Sequence, residues 1–232
     1  MTIFTLLSIW DVAALAAFVA LWTGYTIQAD RLTGQGHSLL AATARARRTW
    51  MRSLCDREVR VADTALMGNL MRSVSFFASA SVLIMGGLVA LLGAGDKAYA
   101  VIQDLPLTES SGRGAFEAKV MLLTGVFVYA FFQITWSLRQ FNYCCILLGA
   151  APMPEAEAAV KDRFAENAAQ LNALAANSFN RGLRAYYFAL AMMTWFIHPG
   201  VFVAASVAVV AVLYRREFRS KTLRALNAAL PP

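Results

Sequence analysis

The sequence predicts an all-α, polytopic transmembrane helical bundle, with five crossings favoured over four and with helices that extend into the cytoplasm. Three observations lead there. The 232 residues are 59% hydrophobic and only 15% charged, with a mean hydropathy of +0.53, which lies outside the range of soluble domains. Apolar runs near 9–28, 73–94 and 119–138 are each long enough to span a hydrocarbon core of about 30 Å. A fourth, oversized run extends from Leu183 to Tyr214. All four are continuous rather than alternating with a period of two, so they read as helices and not as barrel strands.

The first helix is expected over 8–28. "MTIFTLLSIWDVAALAAF" has no Lys or Arg ahead of its apolar stretch and carries Asp11 within it, so it reads as a retained helix rather than a signal peptide. The second and third helices are expected over 62–94 and 119–149, all within one membrane domain covering 1–232. In "HSLLAATARARRTWMRSLCDREVRVADTALMGNLM" apolar residues recur at intervals of three and four with Arg and Asp between them. That pattern predicts a helix running from the cytosol into the second crossing.

Lys and Arg near helix ends stay on the cytoplasmic side, so the loops set the orientation. Segment 30–72 carries Arg31, Arg45, Arg47, Arg48, Arg52, Arg57, Arg60 and Arg72, whereas 95–118 has only Lys97 and Arg113 against four acidic residues. Segments 151–183 and 215–232 are basic again. If the run from Leu183 to Tyr214 crossed once, the basic tail would lie outside. A turn at His198, Pro199 and Gly200 makes two helices, 157–198 and 199–226, and keeps every basic segment in the cytoplasm. Pro199 suits the first turn of a helix, and the residue before a proline is pushed out of helical geometry. The expected location is the cell inner membrane, with the N-terminus outside and the C-terminus cytoplasmic.

Three long blocks are distinctive: "DREVRVADTALMGNLMRSVSFFASASVLIMGGLVALL", "YAFFQITWSLRQFNYCCILLGAAP" and "FNRGLRAYYFALAMMTWFIHPGVFVAASVAVVAVLYRREFRS". They resemble the signature blocks of the DUF599 family of membrane proteins, from the Trp10-Asp11 pair to the "YRREF" tail. That family has no assigned function, so the resemblance implies a membrane protein and carries over no catalytic or binding residue.

Ionisable residues in apolar surroundings are costly and mark candidate sites. Asp11 reads as an N-cap at the external interface or as a contact for a cation or proton. Arg139, Gln140 and Asn142 in "WSLRQFN" and Asn180, Arg181 and Arg184 in "NSFNRGLRAYY" fall at the cytoplasmic ends of the third and fourth crossings. They form a candidate polar cluster, suited either to snorkelling and interhelical hydrogen bonds or to an anion. Asp63, with Glu58, is placed to pair with these arginines. His198 reads as an exposed turn residue with a possible pH-sensing role. Tyr25, Trp22, Trp136, Tyr186, Tyr187 and Trp195 read as interfacial belt residues.

Ser75, Ser79, Gly86, Ala90 and Ala94, and separately Gly200, Ala204 and Ala208, form small-residue stripes that let helices approach closely in lipid. A homo-oligomer is therefore expected, with membrane lipids as partners and anionic headgroups at the cytoplasmic arginines. Cys55, Cys144, Cys145, His37 and His198 show no metal-ligand spacing, so neither metal nor cofactor is expected. The chain lacks HExxH, GxSxG and Gly-rich phosphate loops, which argues against an enzyme, and its positive charge tracks the membrane edge rather than a nucleic-acid surface. The expected function is channel- or transporter-like for an ion or small solute. The alternative is a membrane scaffold or accessory subunit.

Overall fold

The computed structural model describes residues 7–95, 99–100 and 112–229, and among these there is no strand. Seven helices matter here: α1 (Ile9–Gly34), α2 (Leu39–Cys55), α3 (Val61–Gly93), α4 (Arg113–Gly149), α5 (Ala158–Met193), α6 (Pro199–Phe218) and α7 (Lys221–Ala229). Three of them, α1, α3 and α4, are long and apolar enough to cross a membrane. The chain divides into two compact units, each built of three segments. The first is 1–30, 80–131 and 183–215, and the second is 31–79, 132–182 and 216–232.

Local chemistry explains most of the helix ends. Ser8 accepts the Asp11 amide at 3.1 Å while the Asp11 carboxylate accepts the Ser8 amide at 3.2 Å, a reciprocal box that starts α1. Ser8 is therefore the cap, and Asp11, expected in that role, is its partner three residues on. Ser38 caps α2 by accepting the Ala41 amide at 3.0 Å, after a turn in which Gly36 takes φ +83°. Another first-turn amide of α2, that of Leu40, is taken by the Glu217 carboxylate at 2.9 Å, so the end of α6 completes the cap. Pro152 and Pro154 follow the end of α4, where a helix cannot continue.

The expected helix from the cytosol into the second crossing is broken at residues 56–60, which separate α2 from α3. No Gly or Pro marks that break. It is held by tertiary bonds within the second unit: Arg60 donates to the carbonyls of Ala151 and Pro152, and Lys161 lies 2.7 Å from Asp56.

The expected helices 157–198 and 199–226 are also shorter than the sequence suggested. α5 ends at Met193, a 3-10 turn covers Thr194–Phe196, and α6 and α7 are separated at residues 219–220. Ser220 caps α7 through the Leu223 amide at 3.0 Å. The chain does reverse at His198. Phe188 and Phe202 lie 5.7 and 5.0 Å from the same ring, Phe18. Fourteen residues of uninterrupted helix would separate them by about 21 Å. In the second unit, α2 touches both the early turns of α5, through Arg48–Glu166, and the end of α6, through Glu217. Residues 183–214 therefore do not run as one continuous helix.

Candidate functional site

The first unit buries a charge pair at the beginning of α1. Asp11 is 3% exposed and Lys119, from the early turns of α4, is 4% exposed, with Nζ 2.9 Å from Oδ1. The same Oδ1 accepts the indole N–H of Trp195 at 2.7 Å, and Oδ2 accepts the Ser8 hydroxyl at 2.7 Å. Lys119 also donates to the Trp195 carbonyl at 3.3 Å and sits 5.2 Å from its ring. That carbonyl is available because the residue four positions on is Pro199, which has no N–H to offer it. The proline that breaks the helix thus creates the acceptor that Lys119 fills.

Trp195 is wholly buried, stacked on Phe202 at 5.1 Å, and Tyr25 is 5% exposed. Neither is the interfacial belt residue expected, since both spend their polar or aromatic faces on buried cations. Trp136, by contrast, is 51% exposed. Sequence reasoning passed over Lys119, which opens an apolar run where lysine ordinarily snorkels to water.

A second pair lies near the other end of α1. Arg184 of α5 is buried, with Nη1 3.4 Å from Asp30 Oδ1 and its guanidinium 5.5 Å from the Tyr25 ring. Asp11 and Asp30 bracket 18 residues without a charge. At 1.5 Å per residue they are about 28 Å apart, close to the thickness of a hydrocarbon core.

Of the six residues proposed as a polar cluster, Arg184 belongs to the first unit and the other five to the second. Gln140 is buried and accepts the Ser178 hydroxyl at 2.9 Å, joining α4 to α5. Arg139 is exposed and bonds Tyr143 of its own helix at 2.9 Å. Asn142 and Arg181 are exposed, and Asn180 is partly covered. Gln140 and Arg184 thus join helices, whereas Arg139 bonds within its own helix.

Asp63 is fully buried, but its partners are local. Oδ1 accepts both the Trp50 indole and the Arg57 guanidinium at 2.6 Å, while Oδ2 is buried without a partner. His198 is exposed, as expected, and accepts the Gly200 amide through Nδ1 at 2.9 Å, so it serves as the cap of α6. With Trp10, Ala14, Pro199 and Val203 it lines an open pocket of about 510 Å³ in the first unit. No group of three or more His, Cys, Asp or Glu that could hold a metal occurs among the described residues.

A model of the family described as "Protein of unknown function, DUF599" matches residues 13–222. The chain belongs to the DUF599 family. The match spans α1 to α7, so the buried Lys119, Trp195 and Arg184 lie within the family's own extent, while Asp11 falls two residues before its start. No curated protein and no solved structure matches the chain. DUF599 thus brings no activity to these residues, and the three long apolar helices are compatible with a membrane protein.

Proposed function

We propose that this DUF599 protein is a channel- or transporter-like protein of the cell inner membrane, a homo-oligomer that passes an ion or small solute and performs no catalysis. The observation that carries the reading is the charge contact at each end of α1, the fully buried Asp11–Lys119 pair and the Asp30–Arg184 pair, in which Arg184 is buried and Asp30 exposed, about one bilayer thickness apart. Paired ionisable groups buried among spanning helices are the usual mark of an ion or solute path. Each contact ties α1 to another helix of the same unit, α4 at one end and α5 at the other. Breaking either would free one end of the bundle.

Five crossings, with the N-terminus outside and the C-terminus cytoplasmic, fit the charge distribution. All but five of the 21 Lys and Arg residues lie outside the segments of the first unit. Those basic segments would gather anionic headgroups. The oligomer is supported by stripes that the single chain leaves unused. Ser79, Gly86, Ala90, Gly200, Ala204 and Ala208 are exposed, and a Cβ placed on Gly86 would meet nothing within 4 Å.

The test is flux through liposomes holding the purified protein, with a panel of ions and small solutes, for wild type and Lys119→Met. Flux that the variant alters supports the reading. Absence of flux in both overturns it and leaves the second reading, a scaffold or accessory subunit. That reading is favoured by the outward face of α3, where Phe76 is 68% and Leu83 78% exposed. Cysteine accessibility at position 198 tests the topology: labelling from outside supports five crossings, and protection at mid-bilayer with an external tail overturns them.

A further inference from the structure

The helix contact between α2 and α5 in the second unit is charge-matched along one edge. Arg48 pairs with Glu166 at 2.7 Å, Arg52 with Asp162, and Lys161 with Asp56. Arg47 departs from this pattern. Its Nε donates at 2.7 Å to Oδ1 of Asn172, a neutral amide that is 0% exposed, and its Nη1 is buried with no hydrogen-bond partner. The amide N–H of Asn172 faces the Met67 sulfur at 4.0 Å, a weak acceptor. The guanidinium thus meets a neutral amide, and among the described residues no carboxylate is bonded to it. Burial accordingly pulls the Arg47 pKa below its ordinary value.

A half-buried cation with no bonded counter-charge and one buried, unpartnered N–H is costly to keep, and a water molecule would satisfy that N–H without offsetting the charge. The residue as a whole is only partly covered, although its Nη1 is fully so. We propose that Arg47 and Asn172 form a phosphate-class oxyanion site, filled either by the headgroup of an anionic lipid or by free phosphate. Guanidinium forks match such oxyanions in geometry as well as charge, and the under-used Asn172 N–H supplies a further donor. The site makes no use of the charge pairs on α1 and is independent of any transport activity. Its lipid form alone rests on the membrane reading.

The experiment uses the full chain, purified in neutral detergent and stripped of lipid. Melting temperature is measured with inorganic phosphate against chloride at equal ionic strength, and native mass spectrometry counts phosphatidylglycerol retained against phosphatidylcholine. Wild type is expected to be stabilised by one of the two probes, and Arg48→Gln to respond alike. Arg47→Met should weaken that response at least about tenfold, the loss expected for a charge-assisted contact. Phosphatidylglycerol that phosphate cannot displace identifies a lipid site, and a response to phosphate alone identifies a free-ion site. Should Arg47→Met fail to fold, Asn172→Asp places a carboxylate against the guanidinium, and it should fold while losing the response. A wild type indifferent to both probes, or variants at either position that respond as wild type does, overturns the site.

Discussion

Lys119 and Asp11 meet at 2.9 Å with both side chains 4% exposed, and the same ammonium closes the carbonyl that Pro199 leaves open on Trp195. One contact therefore fixes the start of α1, an early turn of α4 and the reversal between α5 and α6. Removing one partner strands a buried charge, whereas removing both strands none. Lys119→Met is expected to cost about 3–5 kcal/mol, and Asp11→Asn in the same background should return a large part of it. Thermal unfolding of the two single variants and the double variant in one detergent checks this. A double variant as unstable as the sum of the singles would show that the two residues act separately.

The hairpin tip makes a smaller and sharper prediction. His198 caps α6 through Nδ1, as an Asn or Ser side chain does at other helix starts. His198→Ala should cost about 1 kcal/mol, and His198→Asn should recover most of it, because a side-chain oxygen can take the Gly200 amide in the same way. Equal melting temperatures for wild type and both variants would mean that the cap contributes nothing measurable.

Composition made the long apolar helices legible, and Pro199 located the reversal because proline acts through its own backbone. Three features were not legible. The break between α2 and α3 carries no Gly or Pro and depends on Arg60 reaching the carbonyls of Ala151 and Pro152, far away in sequence. Lys119 reads as a helix-end lysine until Asp11 and Trp195 are brought to it. The Arg and Asn residues of "WSLRQFN" and "NSFNRGLRAYY" share a level in the sequence, but side-chain direction decides their partners. Gln140 turns to Ser178 while Arg139 stays with Tyr143 on its own helix. Period and charge give the element, and the partner comes only with the packing.

Cys55 gives the pH dependence. Its side chain is buried in the α2–α5 contact, and burial pushes the thiol pKa above its ordinary value. The unfolded chain would release this proton first, so stability is fully present below the ordinary thiol pKa and falls as pH rises above it. Wild type should lose melting temperature above about pH 9, the unfolded thiol range, more steeply than Cys55→Ala does. Identical alkaline slopes would remove Cys55 as a cause.

The same contact separates packing from charge. Met51 and Cys55 of α2 lie against Ala165, Ala168 and Ala169 of α5, each at most 4% exposed, and these three alanines leave room for the larger side chains of α2. The ion pairs beside them are open to solvent: Arg48 and Glu166 are 62% and 55% exposed. Exposed pairs of this kind contribute about 0–1 kcal/mol, because the charges are screened and two long side chains must be held in place. Overpacking a close helix contact costs about 1–3 kcal/mol through forced rotamers and backbone shifts. Ala168→Leu should therefore destabilise the protein clearly more than Glu166→Gln, although the second removes a visible ion pair and the first removes nothing. Chemical denaturation of the two variants under one set of conditions decides it. A reversed order would make the charge array, rather than the alanine face, the element that holds α2 on α5.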